Sequence, residues 1–279
     1  MMKKILRSKN ILFGGIIIIT LILLAVFAPL FAPYDPVKDL DLTRALEPPG
    51  RAFLMGTDPY GRDLLSRVIY GTRISFTLGL IIQTLNTIIG VSLGLCAGYF
   101  GGKIDDMIVA LTNIMLSIPT LILALTLMVV MGPGIINLII ALGFVSWTYT
   151  CRVTRAETLS IKERQFIEAA RASGVSNFRI IRKHILPNIL SPILVIATLG
   201  IGGAILMAAT LGFLGLGAQP PSPEWGAMLS SGRDYIWAAP WLCVFPGLAI
   251  FITVLGLNLL GDGLRDILDP RLITKKYKN

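Results

Sequence analysis

Six long stretches of this chain carry no charged side chain, and that feature decides which solvent the chain can fold in. They cover residues 11–32, 76–100, 107–131, 135–151, 189–213 and 241–261, with lengths of 22, 25, 25, 17, 25 and 21. A helix needs about 20 apolar residues to cross a hydrocarbon layer roughly 30 Å thick. Only 15% of all residues are charged, against about 25% in a soluble domain. This excludes a soluble globular enzyme, a disordered chain and a nucleic-acid-binding domain. Lipid offers a backbone no hydrogen bonds, and these stretches lack the alternation of a barrel strand, so they must be helices. The expected fold class is all-α: a polytopic membrane protein with six transmembrane helices.

Six spans place both termini on one side, and the basic residues choose it. With the N-terminus inside, the inner segments hold 18 of the 25 Lys and Arg residues and the outer segments 7, while the acids divide 8 and 8. Lys and Arg accumulate in cytoplasmic loops, so N-in, C-in is expected. The net charge of +9 therefore points to a membrane surface and not to nucleic acid. Lys3, Lys4, Arg7 and Lys9 before the first apolar run imitate a signal peptide. That run is too long for an h-region and no small-residue cleavage site precedes Pro29, so an uncleaved span is expected. Cys96, Cys151 and Cys243 lie within or at the end of spans and read as small buried hydrophobes.

Local signals fill in the spans. Gly90, Gly94 and Gly98 form a flat stripe that lets another helix approach closely, although a permeation path would use the same face. Pro119 predicts a kink in the third span, and Gly132-Pro133-Gly134 a tight outer turn. In the outer segment, Leu64, Leu65, Val68 and Ile69 oppose Arg62, Asp63, Ser66 and Arg67, the pattern of a short interfacial helix. Trp225, Trp237 and Trp241 belong to a second outer segment, where aromatic residues mark the headgroup boundary. The glycine-rich run from Gly212 to Gly217 reads as a frayed end of span five. The expected organisation is a cytoplasmic N-terminus and first span (1–32), an outer segment (33–72), a five-helix core (73–265) holding an inner loop (152–188), and a cytoplasmic tail (266–279).

The chemistry the chain lacks is informative. No span contains an ionisable residue, which disfavours a gradient-driven secondary transporter, because such proteins carry acidic or histidine relays. His184, the one histidine, sits in an inner loop on a basic face beside Arg182 and Lys183. No catalytic constellation is visible, which disfavours a membrane enzyme. Asp105 and Asp106 read as acids starting a helix, facing its dipole. A Walker loop is missing: Gly102-Lys103 is followed by Ile104, with Ala97 at the first glycine position.

The inner loop 152–188 is long for a membrane connection. Phe166, Ile167, Ala170 and Gly174 share one face of a first helix, and Gly174 suits its C-terminal turn. Ser176 and Asn177 restart a helix through Phe178, Ile181 and Ile185, which Pro187 is expected to end. Glu168-Ala169-Ala170, then Gly174, then Leu186-Pro187, resembles the EAA signature of ATP-binding-cassette importer permeases. His184 departs from the general pattern, which has an apolar residue there, but KHILPN resembles the peptide and nickel importer branch. So do Gly56-Thr57-Asp58 through Gly61-Arg62-Asp63, Ser66-Arg67, Gly71 and Arg73, then GFLGLGAQPPSPEWGAML from Gly212, and the block from Asn258 to Pro270.

That resemblance implies a type I importer transmembrane domain acting as the second of two permease subunits. It implies that Glu168, Ala169, Ala170, Gly174, Leu186 and Pro187 belong to a coupling segment that docks on an ATPase subunit. The implied partners are a homologous permease, two ATPases that bind the ATP and Mg, and an extracytoplasmic solute-binding protein, all at the cell (inner) membrane. No cofactor, metal or catalytic residue is expected in this chain. The implied solute is a short peptide, with nickel, bare or chelated, as the alternative.

Overall fold

The computed structural model describes residues 8–268. The basic Lys3, Lys4 and Arg7, Asp269-Pro270 of the C-terminal block, and the tail after Leu268 lie outside the described residues. The chain forms α1 (Lys9–Val26), α2 (Ala28–Phe31), α3 (Leu64–Phe100), α4 (Gly102–Ser117), α5 (Thr120–Met131), α6 (Ile135–Val145), α7 (Thr148–Lys162), α8 (Gln165–Ala172), α9 (Asn177–Ile180), a π-helical turn (Ile181–Ile185), α10 (Leu186–Phe213), α11 (Trp225–Arg233) and α12 (Trp241–Leu268). Among the described residues there is no strand, only one antiparallel bridge, between Thr57 and Asp63.

Among the described residues, five helical runs are long and apolar enough to cross a membrane: α1, α3, α6 with α7, α9 through α10, and α12. The sixth exists only as α4 and α5 taken together, and these are bent by 86° at their junction. Pro119 does more than kink this span. The residue before a proline is pushed out of the helical region, and Ile118 is extended, at φ −103° and ψ 128°. Pro119 then starts a new helix at its N-cap.

The expected interfacial helix is instead the beginning of α3, so the boundary drawn between residues 72 and 73 falls inside a helix. Nothing between Leu64 and Phe100 breaks the helix, and Asp63 caps it by accepting from the Ser66 N–H at 2.7 Å. The polar face is not solvated. Arg62, Asp63, Ser66 and Arg67 are all buried, because the outer segment folds over them. Asp58 pairs with Arg62 at 2.6 Å and lies 3.5 Å from Arg67, which donates to the carbonyl of Pro36.

The glycine stripe is a packing seam. A Cβ at Gly90, Gly94 or Gly98 would lie 2.6–2.7 Å from α7, against the Cβ of Thr150, Thr154 and Thr158 in turn. Both sets are spaced by four residues, so glycines on α3 receive threonines on α7 one turn at a time. This partnership explains why the helix of the fourth apolar stretch does not stop at Cys151 but continues to Lys162. The inner loop therefore begins as helix, with the Arg155 guanidinium donating to both carboxylate oxygens of Asp105 on α4. Asp105 thus starts its helix as expected and also ties α4 to α7.

At the outer end, two of the three tryptophans leave the expected headgroup boundary. Trp225 is fully buried, its ring over Gly71 and its Nε1 donating to the carbonyl of Val68 at 3.1 Å. Trp241 packs on Gly56 and donates to the carbonyl of Thr57. Only Trp237 is open, at 98% exposure. The end of α10 is capped and not frayed. The Leu216 N–H donates to Leu211 O and the Gly215 N–H to Gly212 O, with Gly215 at φ +81°, a Schellman closure.

Candidate functional site

The inner segment after Lys162 is built on a small apolar seat. Ile167 of α8, Ile180, Ile185 and Ile189 are fully buried together with Leu95 and Tyr99 at the inner end of α3. The Tyr99 hydroxyl lies 2.7 Å from Asn177 Oδ1, and the Arg171 guanidinium stands 5.2 Å from the Tyr99 ring centre. Ile167 thus pins α8 to the bundle by one face.

The six residues singled out in the sequence do not share one surface. Glu168, Ala169, Gly174 and Pro187 are exposed, whereas Ala170 and Leu186 turn toward the apolar seat. Gly174 does what its spacing predicts: at φ +73° it closes α8, with the Val175 N–H donating to Ala170 O and the Gly174 N–H to Arg171 O. This is a second Schellman closure, and Val175 and Ala170 on its two sides both pack against the apolar seat.

Pro187 does not end a helix. It occupies the first turn of α10, after a π turn whose wider winding absorbs the hydrogen bond a proline cannot donate. That turn also shifts the register. The buried isoleucines fall at 180, 185, 189 and 193, spaced by five, four and four, so a face drawn at α-helical spacing through Phe178, Ile181 and Ile185 is displaced. Phe178 is 71% exposed, and Phe166, grouped on one face with Ile167, is 45% exposed. These two exposed phenylalanines are functional candidates that periodicity grouped with the buried Ile167 and Ile185. Their signal was present in part, since Ile167 and Ile180 already supply an apolar seat without them.

A second feature lies within the spans. A cavity of about 460 Å³ is walled by Ile82, Gln83 and Asn86 of α3, by Leu142, Ser146, Tyr149 and Thr150 around the α6–α7 junction, and by Leu199, Gly200 and Gly203 of α10. A neighbouring cavity of about 530 Å³ shares Tyr149, Ile196 and Leu199 and adds Glu157, Asn188 and Arg265. Gln83 and Asn86 face this space together with Ser146, Tyr149 and Thr150, whereas the span residues Asn113, Asn137 and Thr210 are not among its walls. Asn113 accepts from Arg152 at 2.7 Å, Asn137 donates to the Met131 carbonyl, and Thr210 donates to the Leu206 carbonyl of its own helix.

Residues 90–274 match the profile of the binding-protein-dependent transport system inner membrane component, and residues 1–49 that of the N-terminal TM domain of oligopeptide transport permease C. The dipeptide transport system permease protein DppC of Alkalihalophilus pseudofirmus is 46% identical over 97% of this chain and 88% of its own. The probable D,D-dipeptide permease DdpC of Escherichia coli is 45% identical over 92% of this chain and 86% of its own. The glutathione transport system permease GsiD of Pectobacterium atrosepticum is 42% identical over 97% and 90%. A chain of the MetNI methionine ABC transporter in an inward-facing conformation aligns with a TM-score of 0.59 and 22% identity, covering 74% of this chain and 98% of that one. This neighbour carries the expected type I importer transmembrane fold. The chain belongs to the family of binding-protein-dependent inner membrane components, as a multi-pass permease subunit of the dipeptide and oligopeptide branch of ATP-binding-cassette importers.

Proposed function

We propose that this chain is one half of the membrane passage of an ATP-driven importer of short peptides. The observation that carries this reading is the 46% identity to a dipeptide permease along nearly the whole chain. Relatives named for dipeptides, D,D-dipeptides and glutathione favour a peptide over nickel. The other half is a homologous permease, two separate ATPases bind the ATP and Mg, and an outer binding protein delivers the solute. This chain then supplies no catalytic group of its own.

The geometry of α8 supports a mechanical role. Glu168, Ala169 and Arg171 are exposed on a short helix whose Ile167 is locked among residues of α3 and the start of α10. A push from a closing ATPase on the exposed rim reaches the two helices that wall the cavity, and the spans rock between inner and outer openings. Gly174 and its closure hold α8 at its angle. Both termini and α8 face the cytoplasm in this reading.

Transport by the complete complex in vesicles, with peptides and nickel in competition, tests it. Uptake of a di- or tripeptide that depends on ATP and resists nickel is the expected result; uptake of nickel unaffected by peptide would reject it. Single cysteines at Lys183 and Arg51 test the orientation. A membrane-impermeant thiol reagent applied to intact cells should label only position 51, and labelling at 183 would overturn the docking argument.

A further inference from the structure

We propose that the cavity between α3, α7 and α10 is a solute subsite whose two amide oxygens accept hydrogen bonds from the main-chain N–H groups of a short peptide. The inference rests on the peptide-import reading and names the contact that reading leaves open. Gln83 and Asn86 stand three residues apart on α3, so both side chains project from the same face. Asn86 is 2% exposed, and its Oδ1 has no hydrogen-bond partner. Unmet buried acceptors are rare and costly. Gln83 spends its Nε2 on the Thr87 hydroxyl at 3.2 Å, and among the described residues its Oε1 takes no hydrogen bond.

The opposite wall is shaped for these amides. A Cβ at Gly200 would lie 2.4–2.5 Å from the Cδ, Oε1 and Nε2 of Gln83. Glycine at this place on α10 therefore holds open the volume the amide occupies. The result is a space of about 460 Å³ lined by the two amides, by the hydroxyl-bearing Ser146, Tyr149 and Thr150, and otherwise by apolar side chains and glycines, with no charged residue. Such a wall suits a neutral ligand rich in hydrogen-bonding groups, and its two amide oxygens suit one that brings N–H donors. Carbonyl oxygens repel a carboxylate, and two of them without a negative charge do not replace the hydration of a bare divalent cation. A peptide main chain supplies N–H donors whatever its side chains are, so the subsite reads the backbone and tolerates varied sequence. Two neutral hydrogen bonds also hold weakly enough for release toward the adjoining cavity, where Glu157 and Arg265 stand.

The test uses the assembled transporter, with both permeases, the ATPases and the binding protein, in proteoliposomes. Import of trialanine is compared with import of two analogues, one N-methylated at the central amide and one acetylated at the α-amine. The comparison is made for the natural chain, Asn86→Leu and Gln83→Met. The binding protein is the same throughout, so its own preference divides out of the ratios. The expected result is a preference for trialanine over at least one analogue that shrinks about three- to tenfold in Asn86→Leu, the worth of one neutral hydrogen bond. The analogue whose ratio changes identifies the N–H that is bound. Ratios unchanged in both variants would overturn the subsite, whereas failure of the natural complex to import trialanine would instead sink the peptide-import reading. Saturation-transfer NMR on the natural permease–ATPase complex without its binding protein needs no variant. It should show weak trialanine binding that the decisive methyl or acetyl group removes, and equal transfer from all three peptides would overturn the proposal.

Discussion

Replacing Gly94 by alanine probes the close seam between α3 and α7. The added methyl would sit 2.6 Å from the Cys151 carbonyl oxygen and 2.7 Å from the Thr154 Cβ. Ordinary contact begins near 3.4 Å, so α3 and α7 would have to part by roughly 0.8 Å. Neither obstacle is the end of a flexible side chain. Overpacking of this kind costs about 1–3 kcal/mol, partly offset by the helix propensity of alanine, about 1 kcal/mol over glycine. Gly15 in α1 is the control, because a Cβ there meets nothing within 4 Å and Gly15→Ala should collect the propensity gain alone. The two variants should therefore differ by at least the overpacking cost, or roughly 2–12 °C in melting temperature for a chain of this size. Thermal unfolding of detergent-solubilised protein, followed by size exclusion, measures it. Trimming Thr154 to alanine should not rescue Gly94→Ala, since the nearest obstacle is backbone. If Gly94→Ala melts with Gly15→Ala, the α3–α7 contact is not the close one described.

Three further expectations follow from the loops. Gly174 is at φ +73° with open space around it, so substitution there is penalised by backbone alone, about 1–2 kcal/mol for a β-branched residue; Gly174→Val should reach the membrane but lose import and ATPase co-purification, and Gly174→Asn should keep most of both. Asp58→Asn leaves Arg62 and Arg67 buried without their acid, which should cost about 3–5 kcal/mol and show as a lower melting temperature, whereas Arg44→Gln, at an exposed pair, should change it little. Glu224 caps α11 by accepting from the Gly226 and Ala227 N–H groups, and Ser75 also donates to it. Its burial pushes the carboxyl above the usual carboxylate range against those bonds. The folded chain then holds that proton more tightly than the unfolded one, so this contribution to stability is greatest below the unfolded pKa and is lost as pH rises through the folded one; melting temperature against pH should be flatter in Glu224→Gln, and an unchanged slope would refute it.

The sequence by itself determined what hydropathy and backbone chemistry report locally. Apolar length marked the spans, because transfer into lipid depends on composition and not on neighbours. Gly174 marked a left-handed turn because little else takes that backbone conformation cheaply, and the spacing of Gly90, Gly94 and Gly98 marked a close helix contact. Which helix fills that seam was not legible, since the threonines of α7 lie some 60 residues away and no local pattern pairs the two sets. The same holds for Arg67, whose partners include Pro36 and Pro221; read alone it belongs on a solvated face, and only the folded outer segment buries it. The π turn before Pro187 moved the buried face by one position, so Phe178 points out and Ile180 in, a shift invisible to any fixed helical period. Gln83, Asn86 and Gly200 are ordinary span residues in the sequence and become a cavity wall only when α3 meets α10. Hydropathy scores each residue against one solvent, whereas packing and hydrogen bonding score it against particular atoms, and those atoms come from elsewhere in the chain.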